Sequence, residues 1–344
     1  MSRNALVLVT NPGDAAIASY RLTGETLEPL AVTGGLPGTG TFAVDESRDL
    51  VYAGVKGDPA GVHTLALNRA SGVLTPLSRI DVEASMAYLT LAKGGRLLLG
   101  ASYTGDCGAV WPVDSEGRLG EPVARITFAK AHSVAVTDEH AYFAALGADL
   151  IAQYALADDG SLTPLDPPTV AAPAGSGPRH LVLSPDGGNA YLLTEFSGEA
   201  IRFTRDVASG VLTRAESVPG HDTARGLGHS VLGANPLEHH YIWGADLHLT
   251  PDGHRLLCSE RTESTLTTID VAPDGRLLGQ LALTDTERQP RGFALSPDGD
   301  LVLAVGEKSP HVALSRLEPD GSLTLLSRTA TGAGANWVRT IPLD

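Results

Sequence analysis

The sequence predicts an all-β fold: one seven-bladed β-propeller spanning residues 1–344, with the N- and C-terminal strands closing a single blade. Three observations predict it. A short leucine-bearing phrase recurs seven times, a two-strand unit with an Asp-Gly turn recurs between the phrases, and each chain end reads as half of that unit.

The phrase is first Gly24-Glu25-Thr26-Leu27-Glu28-Pro29-Leu30, then Ser71-Gly72-Val73-Leu74-Thr75-Pro76-Leu77, and it returns around Leu119, Leu162, Leu212, Leu277 and Leu323. Successive copies lie 43 to 50 residues apart, with one interval of 65. A four-stranded blade takes about 40–50 residues, so seven copies read as seven blades. The long interval reads as an insertion between about Val218 and Trp243.

The second unit is clearest where Leu181–Ser184 meets Pro185-Asp186-Gly187 and then Tyr191–Thr194. It repeats across Leu247–Ser259, with Pro251-Asp252-Gly253, and across Phe293–Val305, with Pro297-Asp298-Gly299. Weaker copies occupy Phe42–Ala53, Leu89–Gly100 and Val134–Ala144. Two short apolar runs joined by Asp-Gly form a β-hairpin, because glycine supplies the positive φ that the turn needs. At the ends, Trp337–Ile341 lacks a following partner and Ala5–Val9 lacks a preceding one. Pairing them completes a blade, closes the ring and removes free sheet edges.

Composition narrows the function classes. The chain is 42% hydrophobic, with 39 glycines and 22 prolines, enough for a sizeable core and many turns. Its formal net charge is −15 and its Lys and Arg are scattered, which excludes a nucleic-acid footprint. The apolar run Ala5–Val9 is too short for a secretory core, and nothing approaches the roughly 20 apolar residues of a membrane-spanning helix. Cys107 and Cys258 sit in no CxxC and read as reduced thiols, so a cytoplasmic protein is expected, a monomer or small homo-oligomer. No HExxH, phosphate loop, dinucleotide fingerprint or GxSxG elbow is present. His239-His240, adjacent in a strand, would face opposite ways, so no metal site is expected.

Blade geometry locates the polar residues. In an antiparallel hairpin the start of the first strand lies beside the end of the second, so these two slots share one rim of the central channel. Before first strands stand Tyr88, His132, Arg179-His180, Asp246 with His248, Arg291 and Trp337. After second strands stand Asn11, Tyr103, Glu195, Glu260-Arg261 and Glu307-Lys308. Acids, bases and aromatics thus converge on one rim, as a binding site with acid–base capacity requires. Gly177-Pro178 enforces an extended approach to Arg179. Glu195 ends an otherwise apolar strand, where a carboxylate needs a partner.

These segments resemble the bacterial propeller-type 6-phosphogluconolactonases, related to the fungal carboxy-muconate cyclases. The resemblance is carried by Gly177-Pro178-Arg179-His180, Trp243–Gly253, Glu260-Arg261-Thr262, Gln289-Pro290-Arg291-Gly292-Phe293, Gly306–His311 and Ala131-His132-Ser133-Val134. It implies a lactone-directed propeller with no metal or organic cofactor, whose partner is a small-molecule lactone or sugar acid, with no nucleic acid and no membrane. Mapped onto this chain, the family pattern makes His132, Arg179, Glu195 and Arg261 the catalytic candidates. Tyr103, His180, Asp246, His248, Arg291, Lys308 and Trp337 are the substrate-binding candidates. Where the phosphogluconolactonase pattern has a basic residue before the Trp243 position, this chain has Ile242, so the resemblance implies lactone chemistry rather than one particular sugar. Opening a lactone requires an activated water, for which Glu195 or His132 is expected, and an oxyanion partner, for which Arg179 and Arg261 are expected. Two other readings compete: a muconate-type cycloisomerase running toward the lactone, and a non-catalytic propeller that binds a protein.

Overall fold

The computed structural model describes residues 4–343. Its strands form seven antiparallel sheets of four strands each, arranged as a closed ring. Blade 1 runs Trp337–Pro342, Ala5–Asn11, Ala16–Thr23 and Thr26–Thr33 in spatial order, so the two chain ends are neighbouring strands. Val7 lies opposite Thr340 and Val9 opposite Val338, and the Leu343 N–H donates to the Asn4 carbonyl at 3.0 Å. The half-blades expected from the sequence do close the ring.

Blades 2 to 7 follow in chain order. Their first strands are Thr41–Asp45, Tyr88–Ala92, Ala131–Val136, Pro178–Leu183, Gly244–Leu249 and Gly292–Leu295, and first strands of neighbouring blades touch around the axis. Turns behave as their composition requires: Gly187, Gly253 and Gly299 take φ of 69°, 78° and 86°.

Seven apolar clusters hold the ring, one at each junction between adjacent blades. Along Ala5–Asn11, alternate side chains serve opposite junctions. Val7 and Val9 pack toward blade 7, while Leu6 and Leu8 pack toward Phe42 and Val51 of blade 2. A strand buried on both faces therefore reads as an unbroken apolar run, whereas an outer strand such as Leu212–Pro219 is mostly exposed and polar. Each fully buried Leu or Val contributes roughly 1.5–3 kcal/mol, and the double-sided inner strands concentrate that gain around the channel.

The insertion occupies 220–243 between blades 5 and 6. It holds the single short helix among the described residues, Pro236–His239, and a 3-10 turn at Thr223–Arg225. His239 and His240 end that helix rather than lying in a strand: Pro236 opens it, the Asn235 side chain caps it, and His240 takes the left-handed conformation with φ of 53°. Among the described residues no group of three or more His, Cys, Asp and Glu side chains could hold a metal ion. Cys107 and Cys258 are free and buried.

Candidate active site

A cavity of about 550 Å³ opens at the end of the ring where the rim slots meet. Tyr103, His132, Arg179, Glu195, Arg261, Arg291 and Lys308 all line it. Three first strands reach this rim through a β-bulge. The register slips between Ala131 and Ser133, between Pro178 and His180, and between Gly244 and Leu247. The residues caught in the slips include His132, Arg179 and Asp246. A bulge adds one residue to one strand and re-aims its side chain, so the backbone itself turns these groups toward the channel.

Local sequence fixes the approach to Arg179. Gly177 has φ of +68°, and a Cβ there would stand 2.6 Å from the Phe196 ring. The Gly177 carbonyl accepts from the Glu195 N–H at 2.7 Å, which ties the start of one strand to the end of the next. Blade 6 is drawn equally close. A Cβ on Gly244 would lie 2.3 Å from the Thr194 carbonyl oxygen, and the Gly244 N–H donates to the Glu195 carbonyl at 3.0 Å.

At the centre, one carboxylate is clasped by two arginines. Glu195 Oε2 accepts from Arg179 Nε at 2.9 Å and lies 3.3 Å from Arg261 Nη2. Both guanidinium groups are almost wholly buried, at 1% and 2% exposure. Burial pulls each below the ordinary arginine value, and the Glu195 charge pulls it back up. Arginine's intrinsic basicity keeps both charged. Arg179 Nη1 is committed to the Ala245 carbonyl and to His180 Nε2, and among the described residues Nη2 makes no hydrogen bond. Arg261 stacks on Trp243, its guanidinium carbon 3.6 Å from the ring centroid, and its Nε has no hydrogen-bond partner among the described residues. A desolvated cation–π contact of this kind is worth about 2 kcal/mol and fixes the guanidinium plane.

His132 is buried against Tyr103 and His180, with ring centroids 6.0 and 5.2 Å away. Burial holds its pKa well below the ordinary histidine value, and Arg179, His180, Arg291 and Arg261 push it further down. The ring is neutral at physiological pH, and its Nδ1 has no hydrogen-bond partner among the described residues.

Four expected binding residues lie elsewhere. His180, Asp246, His248 and Trp337 do not line the cavity; they pack beneath it. His180 Nδ1 meets Asp246 Oδ1 at 2.8 Å, His248 Nε2 meets Asp246 Oδ2 at 3.2 Å, and Trp337 Nε1 donates to the Phe42 carbonyl at 3.2 Å. Their side chains are satisfied within the protein. The slot rule located their backbones, but the bulges and the ring packing of Tyr88, Trp337 and His180 turn them into the channel floor. Glu260 is also spent internally, accepting the N–H groups of Trp243, Thr262 and Glu263.

The family model for "Lactonase, 7-bladed beta-propeller" matches residues 7–340. The chain belongs to this lactonase propeller family. Among its relatives is the 6-phosphogluconolactonase of Sodalis glossinidius (strain morsitans), 30% identical over 97% of this chain and 98% of that protein. The 6-phosphogluconolactonase of Serratia proteamaculans (strain 568) is likewise 30% identical, over 97% and 98%. The structure of the Pseudomonas aeruginosa periplasmic gluconolactonase superposes with a TM-score of 0.85 at 25% identity, covering 99% of each chain. A crystal structure from Bacteroides fragilis NCTC 9343 shares the fold, with a TM-score of 0.86 at 22% identity over 99% of this chain and 98% of that one.

Within this lactonase-family cavity, three charged or aromatic lining residues lie outside the catalytic and substrate-binding candidates. Glu307 carries Arg291, with Arg291 Nη1 3.2 Å from its Oε1. Trp243 carries Arg261 and is the one insertion residue that lines the cavity. Lys56 directly follows the second strand of blade 2, Leu50–Val55, so the slot rule applied to that blade would have found it. The wall beside it is built from Gly38, Gly40, Gly54 and Gly334, which present no side chain. The lining thus holds five cations, Lys56, Arg179, Arg261, Arg291 and Lys308, against two carboxylates, Glu195 and Glu307. A positive cavity sits inside a chain of net charge −15.

Proposed function

We propose that this protein hydrolyses a sugar-acid lactone, 6-phosphogluconolactone or a related aldonolactone bearing an anionic group. The observation that carries the reading is the clasp. Glu195 Oε2 is held by two arginines, and among the described residues no hydrogen bond reaches Oε1. Oε1 is the acceptor for a water, and the donors for the oxyanion come from the same two guanidinium groups, of which Arg261 Nε has no hydrogen-bond partner among the described residues.

In this mechanism Glu195 takes a proton as the water oxygen bonds to the lactone carbonyl carbon. The carbonyl electron pair moves onto its oxygen, where the guanidinium donors stabilise it. Collapse of the tetrahedral species reforms the carbonyl and breaks the ring C–O bond. Glu195 returns the proton to the departing alkoxide, giving the open hydroxy acid with one water added. His132, kept neutral by burial and the surrounding cations, is a weak base and serves as a hydrogen-bonding wall for water or a substrate hydroxyl. The relatives compared above are named for lactone hydrolysis, which favours this direction over lactone formation. The excess of cations in the cavity supports an anionic substrate and supplies the charge that Ile242 does not; Ile242 is 5% exposed and outside the lining.

The test is Glu195→Gln, which keeps the shape and removes the base. Its kcat on 6-phosphogluconolactone should fall by about 10²–10⁴, measured at a temperature where the variant is fully folded. Unchanged turnover removes Glu195 from the mechanism.

A further inference from the structure

Beneath the clasp lies a second layer of polar groups that the mechanism above does not use. Asp246 is 3% exposed and His180 2%. Asp246 Oδ1 accepts from His180 Nδ1 at 2.8 Å and from the Leu247 N–H at 3.0 Å. Its Oδ2 accepts from His248 Nε2 at 3.2 Å and from the Phe293 N–H at 3.4 Å. The carboxylate is therefore anchored by two backbone groups and cannot follow the imidazole. With Nδ1 donating to Asp246, His180 Nε2 is bare, and it accepts from Arg179 Nη1 at 3.2 Å. The His180 ring is wedged edge-on against Tyr88, His132 and Trp337, with centroids 5.3, 5.2 and 5.8 Å away, so it has no room to rotate.

An apolar ring would fill the same space without the cost of burying a carboxylate. What the imidazole adds is an acceptor pointing at a cation, and what Asp246 adds is the tautomer that makes it an acceptor. We propose that Asp246 and His180 form a positioning dyad that orients Arg179, so that Arg179 Nη2 faces the cavity while Nε holds Glu195. This inference rests on the lactonase reading for its kinetic arm. Arg179 is otherwise held by Glu195 and the Ala245 carbonyl, which fix Nε and one edge of Nη1; His180 supplies the second direction that sets the guanidinium plane. The arrangement parallels the way outer groups orient ligating histidines elsewhere, acting through a hydrogen bond rather than on the substrate.

The experiment compares His180→Phe with His180→Gln on 6-phosphogluconolactone. Phenylalanine keeps the ring and deletes the acceptor; glutamine can place an amide oxygen near the Nε2 position. His180→Phe should lose about 10–100-fold in kcat/KM, since a small misplacement of a binding group can cost about 100-fold. His180→Gln should recover most of it. In an Arg179→Ala background His180→Phe should cost less than about twofold more, because residues acting through one another are not additive. Equal losses in the two variants, an unchanged His180→Phe enzyme, or a full further loss in the Arg179→Ala background each overturn the dyad. Should His180→Phe fail to fold, Asp246→Asn takes its place in the same cycle, with the same non-additivity expected and additive losses overturning the proposal. Imidazole ¹⁵N shifts provide a readout independent of turnover. His180 should carry its proton on Nδ1, and its Nε2 resonance should move in Arg179→Ala; a proton on Nε2 overturns the dyad even in an active enzyme. A wild type that opens no lactone, with these shifts as expected, defeats the lactonase reading alone.

Discussion

Acid should destabilise this protein through His180, and the size of the effect follows from its surroundings. Burial and the adjacent Arg179 charge pull His180 down to about 3, against the partial restoring effect of Asp246. In the unfolded chain the same side chain titrates near 6.5. Because the folded value is depressed, the unfolded state binds the extra proton. The stability contribution is therefore complete above about pH 6.5 and is lost as pH falls toward 3. Between pH 7 and pH 5 the unfolded histidine gains roughly 2 kcal/mol from protonation, and the folded one gains almost nothing. Any folded value below about 4 gives the same figure, so the prediction depends on the direction of the shift more than on its size. The assay is urea unfolding at pH 7 and pH 5, followed by tryptophan fluorescence, on wild type and His180→Gln. The variant should lose about 2 kcal/mol less between the two pH values, since neighbouring His132 stays depressed by burial and the arginines in both proteins. Identical losses within about 0.5 kcal/mol would refute the claim that His180 is held neutral.

Two further predictions concern the walls of the cavity. Lys56→Ala or Lys308→Ala should raise KM for a phosphorylated lactone by about 3–10-fold, the effect of about 1 kcal/mol of lost attraction, while leaving KM for the neutral gluconolactone unchanged. An equal rise on both substrates would count against a charge role. Gly244→Ala should cost about 1–3 kcal/mol by forcing a Cβ against the Thr194 carbonyl, and it should lower kcat by shifting Glu195; wild-type stability and turnover would show that blades 5 and 6 separate freely.

The ring was legible because its units repeat and each unit has a period of two. Asp186-Gly187, Asp252-Gly253 and Asp298-Gly299 announce their turns chemically, and the leucine phrases count the blades. The rim was legible because antiparallel pairing alone puts Arg179 and Glu195 side by side; their hydrogen bond confirms that placement. What sequence could not show is the bulge. Nothing in Ala131–Ser133, Pro178–His180 or Gly244–Leu247 distinguishes an extra residue from ordinary alternation. Within one bulge Arg179 reaches the cavity while His180 drops below it, so adjacent residues that looked equivalent acquire different roles. Trp243 and Glu307 were not among the catalytic or binding candidates, although Glu307 held a rim slot, because each acts by carrying an arginine of its own blade, Arg261 and Arg291, which is a matter of side-chain placement.

The shared sheet of blade 1 also orders events in time. Ala5–Asn11 is made before every other strand of the ring, yet one of its two flanking strands, Trp337–Pro342, is made after all the others. Until then one edge of its apolar run Ala5–Val9 is an unpaired template, exposed to mispairing while the blades between are made. The groups of the clasp lie in blades 5 and 6 and can dock on one another before that final strand arrives. Assembly of the catalytic groups and sealing of the circle are thus separable steps, and a nascent chain stalled short of residue 337 would carry the clasp without the ring.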